Sequence, residues 1–281
     1  MAAGRRLGEP SRRSSRVAAL VLLAGAALAL VLAVRHEGSG IPQRGERDVR
    51  SWAPADARPL PDARAAALIT RTPENRPANA PANDYVPSER QLAAFEARAR
   101  TAANANPLAA YVTGRPGIHR PSTDDLIQWV SHKWGIPTDW IRAQVEVESQ
   151  WRQDALGDRA TVAAGTLRRY PRLARAAGGS AAYESLGIAQ VKWAPNGSVG
   201  AGTEPLRWES TAFDLDYYAA TLRYYYDGYC GWCSAGYRPG QSWRSIGAWF
   251  SPEPWANASA RDYVDAVRVA LAEQSWTDSG F

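Results

Sequence analysis

The chain has 281 residues and a formal net charge of +5, long enough for one large domain or two small ones. The charge is unevenly placed: residues 1–121 carry eighteen Arg and no Lys against ten acidic residues, whereas residues 122–281 carry fifteen basic and eighteen acidic ones. An excess confined to the front argues against a basic face for nucleic acid on the rest of the chain, so no nucleic-acid partner is expected.

Arg5, Arg6, Arg12, Arg13 and Arg16 precede an uncharged apolar run over residues 17–34. At a helical rise of about 1.5 Å this run approaches the roughly 30 Å of a bilayer core and exceeds the roughly 7–15 residues of a signal-peptide core. The positive-inside rule makes residues 1–16 a cytoplasmic basic segment and residues 17–34 a transmembrane signal anchor, with everything beyond exported. The triplet Ala27-Leu28-Ala29 leaves a cleaved signal peptide, and hence a secreted protein, as the alternative.

Residues 35–86 are Pro-, Ala- and Arg-rich with few large apolar side chains, which predicts a disordered linker. Residues 87–120 are expected to form a peripheral helical segment, in which Ser88 and Gln91 have the spacing of a capping box.

The main domain is expected over residues 121–277. Ser122, Thr123, Asp124 and Asp125 read as a helix start before Leu126, Ile127, Val130 and Trp134, which recur at helical spacing, and Gly135 stops the helix. Thr138 is the expected cap of a second helix carrying Trp140, Ile141, Gln144, Val145 and Glu148 on one face. Further helices fit residues 211–226 and 259–272. No alternating apolar pattern persists long enough for a large sheet, so the domain is predicted to be mainly α. Eleven of the twelve Trp fall after residue 121, which places an aromatic-rich core, and any aromatic cleft, in this part.

Glu146 and Glu148 stand two apart, about 200° around a helix, so they cannot act as a carboxylate pair. Glu146, four residues after Arg142, reads as a solvated ion-pair partner, while Glu148 continues the apolar stripe. A carboxyl there, close to the negative end of the helix dipole, should have its ionised form disfavoured, as an acid catalyst requires. A glutamate buried for structural reasons fits the same pattern. Cys230 and Cys233 have redox or zinc spacing, but no second ligand pair accompanies them, and an exported location favours a structural disulfide. His36, His119 and His132 are scattered, so neither metal nor cofactor is called for. Residues 159–182, rich in Ala, Gly and Arg, read as a surface insertion or as a basic flap over a cleft.

Glu148-Ser149-Gln150-Trp151 followed by Ser185-Leu186-Gly187-Ile188-Ala189-Gln190 resembles the first two signature motifs of lysozyme-like lytic transglycosylases. The resemblance covers residues 122–276 and implies a lysozyme-like (goose-type lysozyme/SLT) catalytic domain that acts on peptidoglycan glycan strands on the cell-wall side of the membrane. It makes Glu148 the catalytic acid, with Ser185, Gly187 and Gln190 in a substrate-binding segment. Gly187 would admit the sugar and Gln190 would hydrogen-bond it.

The family's third motif, Ala-Tyr-Asn, is replaced by Ala248-Trp249-Phe250, which loses a hydroxyl and an amide; Trp249 remains as a ring for the cleft wall. Tyr263 resembles another family tyrosine near the acid and is expected to supply the hydroxyl. The resemblance favours a substrate-assisted route to a 1,6-anhydro sugar. A muramidase that uses water and one of Asp154, Asp158 or Glu184, and a weakly active wall-binding or assembly protein of the same fold, are the alternatives.

Overall fold

Ser122 starts a helix by accepting a hydrogen bond from the Asp125 amide at 3.0 Å, while the Asp125 carboxylate accepts one from the Ser122 amide at 2.9 Å. This reciprocal cap satisfies two of the amides that a helix start leaves open. Gly135, at φ 62°, closes the same helix in the left-handed region where a β-carbon is costly. Ser88 and Gln91 build a second reciprocal cap on the helix Glu89–Thr101.

The computed structural model describes residues 51–102, 105–161, 181–192, 200–231, 233, 238–251 and 257–281. In chain order the elements are α1 (Asp62–Ala66), α2 (Ala80–Asn83), α3 (Glu89–Thr101), α4 (Thr123–Trp134), α5 (Thr138–Ser149), β1 (Leu156–Thr161), β2 (Ala181–Leu186), β3 (Val191–Lys192), α6 (Leu206–Glu209), α7 (Thr211–Tyr226), α8 (Ser242–Phe250) and α9 (Ala258–Glu273). Short 3-10 turns cover Pro77–Asn79, Pro107–Tyr111 and Ser275–Thr277. The domain is therefore mainly helical, and among the described residues its one small sheet is an antiparallel meander in the order β1-β2-β3. Gly157 lies opposite Ser185, and Ser185 opposite Lys192. The α5 start differs from expectation. Pro137 occupies the cap position without a side-chain cap, and the Thr138 hydroxyl instead meets Ser131 Oγ at 2.8 Å.

Helix α7 is buried along its whole length and forms the axis of the core. Its Asp216 carboxylate accepts hydrogen bonds from Lys133 Nζ at 2.8 Å, the Trp134 indole N–H at 2.7 Å and the amides of Thr113 and Gly114 at 2.8 and 3.0 Å. Lys133 also pairs with Asp62 at 2.6 Å, which draws α1 onto α4.

This packing overturns the expected linker over 35–86 for every residue from 51 onward. Trp52 is buried, stacked on Tyr226 with ring centroids 4.7 Å apart and edge-on to Trp140 at 5.7 Å. The Arg223 guanidinium donates to the Ala53 and Pro54 carbonyls at 3.0 and 2.9 Å. Thr70 and Thr72 amides donate to Gln128 Oε1 and Asp125 Oδ1 at 2.8 and 2.9 Å. The segment has few apolar residues because main-chain hydrogen bonds and buried ion pairs to α4 and α7 hold it, not a core of its own.

Residues 87–120 are likewise integral rather than peripheral. Phe95 of α3 is buried edge-on against Phe213 and Tyr217 at 5.1 and 5.9 Å. The expected boundary at 121 thus moves to near residue 50, where the compact unit Arg50–Phe281 begins. The apolar run 17–34 and residues 162–180 of the expected flap lie outside the described residues. Among the described helices none is long and apolar enough to cross a membrane.

A chain starting at residue 50 should keep the cooperative urea transition of the full protein, and a chain starting at residue 121 should lose it. Trp52→Ala should destabilise by about 3–5 kcal/mol, as deletion of a buried indole does. A cost within about 0.5 kcal/mol in equilibrium unfolding would show that residues 51–56 do not dock.

Candidate active site

Helix α5 ends at Ser149, and the next two residues, Gln150 and Trp151, both take left-handed backbone conformations at φ 55° and 61°. This reversal buries the Trp151 ring, whose indole N–H donates to the Arg142 carbonyl at 3.0 Å. The Ser149 hydroxyl donates to the Ile188 carbonyl at 2.7 Å, so the helix end is fastened to the turn between β2 and β3. The Asp214 carboxylate of α7 holds the other side of that turn, accepting the Ala189 amide at 3.1 Å and the Ile188 amide as well. Glu148 is thereby positioned at the junction of a helix and a hairpin.

Two motif residues serve this junction itself. A β-carbon on Gly187, at φ 84°, would run into the Asp214 carboxylate and the Arg207 carbonyl. The absence of a side chain at this position makes room for these protein atoms. Gln190 Nε2 donates to the Gly187 and Ala155 carbonyls at 2.8 and 3.2 Å, so both of its amide hydrogens hold the turn and neither is left for a sugar.

Two elements, α9 and α8, reach the Glu148 carboxyl. From α9, the Tyr263 hydroxyl hydrogen-bonds Oε1 closely. Behind it Gln144 Nε2 donates to the Tyr263 oxygen at 2.8 Å, and the Tyr218 hydroxyl of α7 donates to Gln144 Oε1 at 2.6 Å. From α8, the Trp249 side chain comes close enough to Glu148 to favour its ionised form. An indole N–H can only donate, so its influence on Glu148 is to favour the anion. The Trp249 ring is half-buried and stands edge-on to Tyr218 at 4.9 Å. The next ring, Phe250, is 49% exposed and stacks on Tyr263 at 5.0 Å.

Glu148 is half-buried, yet its carboxyl is enclosed closely enough that desolvation dominates. Desolvation pushes its pKa up to about 8, against the hydrogen bond from Tyr263 and the influence of Trp249, and the nearby negative charge of Asp158 adds to the rise. Asp158 goes the other way. Burial would raise it, but the Ser185 hydroxyl at 2.7 Å and Lys192 Nζ at 3.3 Å hold it below the ordinary aspartate value. Its φ of 51° is a left-handed excursion inside β1 that Asp tolerates better than most residues. Ser185 thus reaches the site through Asp158. Asp214 is buried and its pKa lies well above normal, chiefly from desolvation. At neutral pH the site holds a protonated acid near an ionised one.

Glu146 does not pair with Arg142, as the spacing suggested. It accepts from the Ser275 hydroxyl, while Arg142 pairs with Asp124 and Asp139, each at 2.8 Å. Cys230 and Cys233 are disulfide-bonded, with Cys230 packed against Tyr224, Tyr225 and Ala248 and away from the carboxyl. Among the described residues no group of His, Cys, Asp or Glu is arranged to hold a metal ion.

Sequence reasoning missed the roles of Tyr218, Asp214 and Phe250. Gln144, four residues before Glu148 on the same face, was legible as a polar residue on an apolar stripe. Tyr218 and Asp214 sit in a helix buried on all sides, where no period marks them. No protein-family model, curated protein or solved structure matches this chain.

The raised pKa has a stability consequence. A group whose folded pKa lies above its unfolded value contributes fully below about pH 4.5 and loses that contribution as pH climbs through about 8. Glu148→Gln cannot ionise, so its stability relative to the parent should improve across this window by about 1–3 kcal/mol; water reaching the half-buried carboxyl keeps the gain below the full shift. Urea unfolding at several pH values measures the gap, and a gap independent of pH would contradict the shift.

Proposed function

We propose that the protein is an exported, lysozyme-like lytic transglycosylase that cleaves the MurNAc-GlcNAc β-1,4 bond of peptidoglycan and leaves a 1,6-anhydroMurNAc end. The observation that carries this reading is the Glu148 carboxyl, with a pKa near 8 at the mouth of a helix-hairpin junction. An acid that still holds its proton at neutral pH can give it to a glycosidic oxygen as the C1–O bond breaks. The substrate's N-acetyl oxygen then stabilises C1, its C6 hydroxyl closes on C1, and the hydroxyl proton returns to Glu148. No water is consumed and no second carboxyl is needed. Phe250 offers the exposed ring face beside the acid that a pyranose can pack on. The motif resemblance supplies the choice of peptidoglycan, and the N-terminal apolar run supplies export and tethering to the membrane.

Asp158 favours a second reading. An ionised carboxylate close enough to Glu148 to raise its pKa could orient a water for attack at C1, which is the muramidase outcome.

Purified cell walls digested with the protein should yield anhydro ends by mass spectrometry, none with Glu148→Gln, and an unchanged yield with Asp158→Asn. Reducing ends that vanish with Asp158→Asn would establish hydrolysis instead. Absence of new ends of either kind would leave the fold as a binding or assembly module. Phe250→Ala should raise KM about tenfold with kcat retained, as loss of binding common to substrate and transition state does; a fall confined to kcat would remove Phe250 from the binding surface.

A further inference from the structure

The chain of hydrogen bonds behind the acid has a direction, and that direction matters to an acid catalyst. Tyr218 is fully buried, and among the described residues its hydroxyl has Gln144 Oε1 as its hydrogen-bond partner, at 2.6 Å. A hydroxyl in a dry site that fails to donate is disfavoured by about tenfold or more. Tyr218 therefore donates. A side-chain amide has one accepting and one donating end, so a donor at Oε1 turns Nε2 toward Tyr263, 2.8 Å away. The Tyr263 oxygen then receives a hydrogen, and its own O–H points at Glu148 Oε1.

We infer that Tyr218 is a positioning residue: acting through Gln144 and Tyr263, it makes Glu148 Oε1 an acceptor and leaves the acid proton on Oε2. The reversed chain shows why this counts. With the Gln144 amide flipped, Tyr263 would donate to Gln144, and Glu148 would give its proton into the Tyr263 oxygen. The acid would be spent on the protein and not on a glycosidic oxygen. The two directions make the same bonds except at the far end, where reversal leaves the Tyr218 O–H without an acceptor. Three hydrogen bonds from the acid, a phenol on another helix thus selects which oxygen carries the proton.

The inference rests on Glu148 being the acid of the proposed reaction. The other groups that face Glu148 are Asp158 from β1, Asp214 from α7 and Trp249 from α8, and none of them joins this chain. Tyr218 itself stays neutral, since burial raises its pKa well above that of a free phenol.

Tyr218→Phe keeps the ring and its contact with Trp249 and removes only the O–H. With neither direction then preferred, about half of the acid is misdirected, so kcat on glycan strands should fall about twofold with KM unchanged. The neutral acid gains the reversed arrangement as a second state, so the basic limb of the pH profile should move to higher pH. In a Tyr263→Phe background, where the chain no longer reaches the acid, Tyr218→Phe should cost nothing further. Carbon-13 NMR of the Glu148 carboxyl, recorded without substrate, should show the same upward shift of its midpoint. That spectroscopic readout separates the two claims: a shifted midpoint supports the relay even if no glycan is cut. An unchanged Glu148 midpoint in Tyr218→Phe, or losses from the two tyrosines that simply multiply, would overturn it.

Discussion

A helix with no solvent face needs protein partners for the charged side chains it carries, and this constraint on α7 organises the compact unit. Asp216 gathers Lys133, Trp134 and the amides of Thr113 and Gly114, fastening α4 and the preceding loop. Arg223, neutralised by Asp227 at 2.6 Å, captures the carbonyls of Ala53 and Pro54 and so brings in the start of the compact unit. Asp214 holds the amides of the β2–β3 turn, and Tyr218 holds Gln144 of α5. Burying these groups would be prohibitive if any stood alone. Paired, they lock four separate pieces of chain to one axis.

The acid site is where two of those pieces meet. Glu148 gains its proton from enclosure, since desolvation outweighs the contacts that favour the anion. Residues of both motifs also hold the helix end and the hairpin together. Ser149 ties the helix end to Ile188, Gly187 leaves space for Asp214, and Gln190 closes the turn on Ala155. The motif that resembles a substrate-binding segment also serves, in this structure, as scaffold for the turn beside the carboxyl. A hairpin fastened to a helix terminus suits that task, because the raised pKa depends on how far the carboxyl is desolvated.

Sequence alone exposed what depends on local rules. The Ser122 and Ser88 caps, the left-handed stop at Gly135, the bounds of α7 and the amphipathic stripe ending at Glu148 all follow from side chains acting within a few residues of themselves. What depended on distant partners was invisible. Residues 51–86 read as a linker because composition counts apolar side chains, whereas Arg223, Lys133 and Gln128 hold that segment through its polar atoms. Arg142 and Glu146 looked like a helical ion pair, but Asp124 from another helix outcompetes Glu146 for the guanidinium. Trp249 read as a lost hydroxyl because its N–H could be counted only once its distance from Glu148 was set by α8.

The central claim, that enclosure holds Glu148 protonated with the proton on the oxygen facing away from Tyr263, is a statement about one hydrogen atom. Hydrogens must be seen rather than inferred to decide it. Neutron diffraction from deuterated crystals near pH 7 would do so. The account predicts a deuteron on Glu148 Oε2 and the Tyr263 deuteron directed at Oε1; a bare carboxylate, or a deuteron on Oε1 directed at Tyr263, would contradict it.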